Sequence, residues 1–126
     1  MLSKIIMGGK FVTNKIVYQR DLLYPIDNEN ELGTMHLDVL GVGKNGKIQV
    51  VVENKSKHFP LKYIDSIIVT MQKDVFNRLD VKVLEGVDLY FLADEELKKL
   101  YGDKTYIKVL LNGANTSFEA VDEINI

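Results

Sequence analysis

A chain of 126 residues is enough for one domain with a real core and not enough for two. Apolar residues make up 46% and charged residues 27%, as in ordinary globular proteins; with no cysteine there is no disulfide framework, zinc–thiolate site or thiol nucleophile, and no apolar run is long enough to span a bilayer. The net charge of −2 provides no global field toward nucleic acid, and Met1 to Lys10 lacks the long apolar core of a signal peptide, so a cytoplasmic location is expected.

Lys10 to Tyr18 reads as a first strand, built on Val12 and Ile16-Val17-Tyr18. Tyr24 to Gly33, with Pro25, Asp27, Asn28 and Asn30, reads as a polar loop projecting into solvent. Thr34 to Val42 and Lys47 to Glu53 form two apolar runs around Asn45-Gly46. This is the strongest hairpin signal in the chain, because Asn and Gly tolerate the positive φ of a type I′ turn. In the second run Ile48, Val50 and Val52 share one face, and Gln49, Val51 and Glu53 share the other.

Asn54 to His58 is a short basic turn, and Phe59 to Ile64, with Pro60, resembles the closing piece of a small barrel at an edge or corner. Ile67-Ile68-Val69 within Asp65 to Thr70 favours a buried strand over a helix, Asp74 to Leu79 is ambiguous, and Val81, Val83 and Val87 to Leu92 are strand-like with a break at Glu85-Gly86. Asp94 to Tyr101 is the clear helix. Asp94 caps it, Glu95 and Glu96 suit the positive end of its dipole, Lys98 and Lys99 suit the other end, and Gly102 ends it. Leu97, Leu100 and Tyr101 fall on one side of this helix. Thr105 to Leu111 and Phe118 to Val121 make a final hairpin around Asn112-Gly113, and the tail from Asp122 to Ile126 is expected to fray. The expected architecture is a single β-rich domain over 1–126, all-β to α+β: a small, partly open antiparallel β-barrel with one short helix near the C-terminus.

Gly41-Val42-Gly43-Lys44-Asn45-Gly46 contains the letters of a dinucleotide-binding motif. That motif needs a helix after the glycines to hold a pyrophosphate, and a β-branched run follows instead, so no nucleotide cofactor is expected. Asp27, Glu29, Glu31 and Asp38 fall at calcium-loop spacing, but Leu32 sits where such a loop requires glycine, and a solvated acidic loop is the better reading. His36 and Asp38 share a strand face; spacing supplies no third metal ligand, and an enzymatic reading would need them to converge with a further acid. The serines lie in no nucleophile-elbow context. No catalytic residue and no metal site is assigned.

The strongest local signal is charge. Lys44, Lys47, Lys55, Lys57 and Lys62 face one acid, Glu53, across nineteen positions, whereas Asp21 to Asp38 carries five acids without a lysine or arginine. If the hairpin tip and the basic turn meet, these lysines share one surface suited to sequence-independent phosphate contact, with Arg20 and Tyr63 nearby as secondary contacts. A lysine-decorated sheet edge that deters aggregation explains the same residues, as does the fourteen-to-two bias of lysine over arginine in a low-GC coding sequence.

Arg20-Asp21-Leu22, Leu37-Asp38-Val39, Gly43-Lys44, Gly46-Lys47-Ile48-Gln49-Val50, Pro60-Leu61-Lys62 and Val87-Asp88-Leu89-Tyr90-Phe91-Leu92-Ala93-Asp94 occur in an order that resembles the YdcP-like proteins, small proteins of integrative and conjugative elements in low-GC Gram-positive bacteria. The parallel runs from about Arg20 to Asp94. It departs at Asn54 to His58, at the N-terminus and over 94–126, where the helix and hairpin look like an extension. The resemblance implies a non-enzymatic accessory role in element replication or transfer, with single-stranded or forked DNA and a helicase or relaxase as partners. Set beside it is a phage or mobile-element interaction module that acts through an exposed strand edge, with a homo-oligomer as one expected form.

Overall fold

The computed structural model describes residues 5–7, 10–12, 16–26, 31–56, 60–71, 73–74, 86–112 and 115–124. Two short strands, β1 (Ile5–Met7) and β2 (Lys10–Val12), form a separate antiparallel pair. The main sheet has six strands whose spatial order follows the chain: β3 (Tyr18–Pro25), β4 (Leu32–Val42), β5 (Ile48–Asn54), β6 (Val87–Leu92), β7 (Tyr106–Asn112) and β8 (Asn115–Val121).

The sheet is open and mixed, which corrects the expected antiparallel barrel. β3 and β8 are its two edges, and β5 pairs with β6 in parallel, with Gln49 beside Asp88 and Val51 beside Tyr90. A parallel pair requires a crossover connection, and residues 55–86 supply it. That crossover carries a 3-10 turn (Pro60–Tyr63) and a helix, α1 (Ile64–Met71), where a barrel-closing piece and a strand were expected. A run rich in β-branched residues becomes helical here because tertiary burial outweighs propensity. Ile67 and Met71, one helical turn apart, are both fully buried, and the Thr70 hydroxyl donates to the Ser66 carbonyl at 2.9 Å. With α2 (Glu95–Tyr101) the described residues therefore hold two helices rather than one.

The second helix is built as its sequence indicates. The Asp94 carboxylate accepts the Leu97 N–H at 2.9 Å, and Gly102 ends the helix at a φ of 128°. Of its three apolar residues only Leu97 is buried. Tyr101 packs against Phe118 with ring centroids 5.8 Å apart, and Leu100 is exposed. The final hairpin is present, with β8 starting at Asn115, three residues before the expected strand. The predicted Tyr24–Gly33 loop is shorter than expected, since β3 runs through Pro25 and β4 begins at Leu32. Asp27 to Asn30, Lys57 to Phe59, 75–85 and Gly113 lie outside the described residues.

The hairpin between β4 and β5 forms, with one correction. The Gly46 N–H bonds the Gly43 carbonyl at 3.0 Å and the Gly43 N–H bonds the Lys47 carbonyl at 2.8 Å. The reversal is thus centred on Lys44-Asn45, with Gly46 at a φ of 82° closing a three-residue loop, rather than a type I′ turn on Asn45-Gly46. A strand, not a helix, follows the glycines. At Leu40 a bulge shifts the β4–β5 register between Val39 and Gly41, and Gly41 takes a φ of 98°.

One face of the sheet carries the main core. Leu22 and Tyr24, Met35, Leu37 and Val39, Val50 and Val52, Leu89 and Phe91, and Ile107 and Val109 pack there with Leu61, Ile67, Met71 and Leu97 from the helical layer. The central strand β6 is buried on both faces from Val87 to Phe91, as a strand in a parallel pair commonly is.

Candidate functional site

The described lysines of the two basic turns, Lys44 and Lys47 in one and Lys55 in the other, do not meet. Lys44 and Lys47 lie at the β4–β5 reversal, before β5 begins, and Lys55 lies just past its other end, where its N–H bonds the Thr34 carbonyl at 2.8 Å. Eight residues of extended chain put Lys47 and Lys55 about 26 Å apart. Lys57 falls outside the described residues. Lys62 belongs to the 3-10 turn, with its ammonium 6.0 Å from the Tyr63 ring centroid. Tyr63 is half-buried and packs on the core beside Tyr24, at 6.1 Å between ring centroids. Arg20 is 3.9 Å from Asp74. The expected single strip is therefore two groups: Lys44 and Lys47 at one end of β5, and Lys55, Lys62 and Tyr63 associated with the other end.

Between them, on the sheet face opposite the core, sits an arrangement that sequence reasoning foresaw only in part. Register places Asp21 opposite His36 and Gln19 opposite Asp38, with Glu53 on the other side of His36. His36 Nδ1 lies 2.7 Å from Asp21 Oδ1, its Nε2 lies 2.8 Å from Asp38 Oδ1, and the Gln19 amide donates to the same Asp38 oxygen at 2.8 Å. The Asp21 hydrogen bond raises the imidazole above its ordinary pKa of 6.5, partial burial opposes the rise, and Asp38 adds to it. An imidazolium donating from both nitrogens satisfies this geometry.

Asp21 supplies the further acid that an enzymatic reading called for. Yet both ring nitrogens are committed, the Asp21 side chain is 63% exposed, and the cluster lies on an open strand face. A base needs a free lone pair, and this ring offers one only by losing a carboxylate partner. No group of three His, Asp or Glu side chains among the described residues could hold a metal ion.

The clamp has a sign-definite consequence. A histidine whose folded pKa lies above its unfolded value stabilises the fold fully below the unfolded pKa, and that contribution is lost as pH rises through the folded pKa. With His36 still partly exposed, the effect is below about 1 kcal/mol. The urea midpoint should fall between pH 6 and pH 8.5, and a His36→Gln variant should show a flatter profile. Equal slopes for the two proteins would mean that the clamp contributes nothing.

Nearer the hairpin tip lies a buried polar network that the sequence did not announce. Asp88 is 5% exposed and Gln49 is fully buried, side by side on β6 and β5. Asp88 Oδ2 accepts from Asn45 Nδ2 at 2.6 Å and from Gln49 Nε2 at 2.9 Å, and Lys47 Nζ lies 3.7 Å from Oδ1. Gln49 Nε2 also donates to the Lys47 carbonyl at 3.1 Å, and Asn45 Oδ1 accepts the Lys47 N–H at 3.0 Å. Burial by itself pushes the Asp88 carboxyl up, but the Asn45 and Gln49 amides, with Lys108 and Lys47 close by, outweigh it and hold the group below its usual value. Lys47 is thereby part of a structural network as well as a surface cation. The available signal was Asp88 in the apolar run Val87 to Leu92, since an acid within a buried strand needs donors.

The two sheet edges differ in chemistry. β3 ends in Pro25 and carries Arg20 and Asp21, features that discourage pairing with another chain. β8 has neither proline nor lysine, carries Glu119 as its only charge, and pairs only with β7 among the described residues. Comparison of the chain with models of known protein families, with characterised proteins and with solved structures finds no match. The likeness to the YdcP-like proteins therefore stands on the quoted residues alone. No helix among the described residues is long and apolar enough to cross a membrane.

Proposed function

We propose that this chain is a non-enzymatic, cytoplasmic accessory protein of a mobile genetic element, working by binding during replication or transfer. The observation that carries the reading is the unguarded edge of β8, seven residues without proline or lysine, a template onto which another strand can add by main-chain hydrogen bonds. The resemblance supplies the setting, a helicase or relaxase complex, and no reaction chemistry is needed for this role. Amide hydrogen exchange tests the edge. While it is free, β8 amides should alternate between slow and fast exchange; once a strand adds, all should be slow. Alternation that persists at every protein concentration and with the purified helicase or relaxase added removes the edge reading.

A second reading, contact with single-stranded or forked DNA, draws on Lys44, Lys47, Lys55 and Lys62 at the two ends of β5, with Arg20 and Tyr63 as secondary contacts. Acids on the intervening sheet face favour two separate phosphate contacts over one continuous track. In gel-shift titrations on single-stranded DNA, Lys44→Glu alone and Lys55→Glu with Lys62→Glu should each weaken binding, and the salt slope should fall by about 0.7 for each lysine lost. A slope unchanged by all three substitutions removes DNA as a ligand.

A further inference from the structure

We infer that the strand completing β8 is β8 of a second copy of this chain, joined antiparallel about a two-fold axis at Phe118. This rests on the edge reading above and names its occupant. With Phe118 facing its symmetry mate, all seven residues of Asn115–Val121 pair: Asn115 with Val121, Thr116 with Ala120, and Ser117 with Glu119 of the other copy. Any other register leaves strand ends unpaired, and the one centred on Glu119 would set two carboxylates against each other. In the full-length register the only charge on the strand faces a serine, so the edge is complementary to itself.

The helical layer supports the same arrangement. α2 lies over β8, with Tyr101 against Phe118. On α2, Leu100 is 64% exposed, and Tyr101, which reaches Phe118 on that edge strand, is 38% exposed. A second copy joined in this register extends the helical layer as well as the sheet, so Tyr101 beside the axis becomes covered where a lone copy leaves it partly in water. The other edge, with Pro25 and the charges of Arg20 and Asp21, has no such self-complementarity. The dimer also doubles the lysine groups, which raises avidity for a long polyanion without any new contact within one copy.

Sedimentation equilibrium of the whole chain, with substitutions at two exposed positions, tests the register. Ser117 and Glu119 are both exposed, so neither change disturbs the core. Ser117→Glu creates two like-charge pairs across the axis and should weaken the dimer about five-fold; Ser117→Lys creates two opposite-charge pairs and should tighten it by a similar factor. The Ser117→Glu penalty should vanish when Glu119 is also changed to Gln. A dimer indifferent to these changes overturns the register and places its interface elsewhere. A monomer at all concentrations overturns self-pairing; in that case the exchange measurement with helicase or relaxase decides separately whether β8 accepts a foreign strand.

Discussion

Asp88→Ala should destabilise the fold by about 3 kcal/mol, the largest single-residue polar effect expected among the described residues. The substitution leaves the Asn45 and Gln49 amides without their acceptor in a site where Gln49 is fully buried, and it removes the counter-charge of Lys47. For a domain of this size the loss corresponds to a fall in Tm of about 10 °C. Asp88→Asn separates hydrogen bonding from charge, because an amide oxygen at Oδ2 still accepts both donors; its cost should be about half as large.

Acid titration gives an independent reading of the same group. A carboxyl whose folded pKa lies below its unfolded value stabilises the fold above the unfolded pKa, and that stability is lost as pH falls through the folded one. The parent should therefore lose stability below about pH 4 more steeply than Asp88→Asn. An Asp88→Ala protein as stable as the parent in urea would show that the network contributes nothing to the fold.

Gly33→Ala should cost about 2–3 kcal/mol, although it adds only a methyl group. Gly33 lies opposite Tyr24 on the core face of β4, and the Tyr24 ring covers it. A Cβ there would run into Tyr24 Cζ and come within 2.7 Å of Cε1 and of the hydroxyl oxygen. The ring has little room to yield: it is fully buried, its hydroxyl donates to Asn54 Oδ1 at 2.9 Å, and it packs beside Tyr63. A glycine that appears in the sequence as part of a loop is thus a packing position within a strand. In a Tyr24→Leu background the same substitution should become nearly neutral, a coupling read from a double-mutant cycle in urea. Equal costs in the two backgrounds would rule out the ring as the cause.

Some of the fold was legible because its signals are local. Asp94, Glu95, Glu96 and Gly102 mark α2 at both ends, since capping and end charges act within a single turn. The alternation of Val50 and Val52 against Gln49 marks the faces of β5, since a strand sends successive side chains to opposite sides. Ile67-Ile68-Val69 misled because a β-branched run suits a strand until packing gives it a helical position, and nothing within eight residues shows that Ile67 and Met71 reach one core. The lysines misled for a related reason. Proximity in sequence suggested a shared surface, but an extended strand separates residues at about 3.3 Å each, so Lys47 and Lys55 flank β5 rather than meet. The partly buried His36–Asp38 pair was visible as a face-sharing i, i+2 couple; its second carboxylate, Asp21, came from the neighbouring strand and needed the β3–β4 register.

The sequence by itself determined that β4 and β5 form a hairpin, though not the type of its turn, and it determined the second helix and the final hairpin, because each is set by φ preferences, caps and short-range periodicity. Only the tertiary structure decided that the sheet stays open. The crossover through α1 brings β6 in parallel beside β5, places a helical layer on one face and leaves β3 and β8 as edges. The same crossover joins Asn45 to Asp88, forty-three positions apart, and gives the turn asparagine a second role that no local pattern encodes. Long-range pairing is chosen by how much apolar surface the whole chain can bury and how many buried polar groups it can satisfy, and those quantities belong to the assembled sheet.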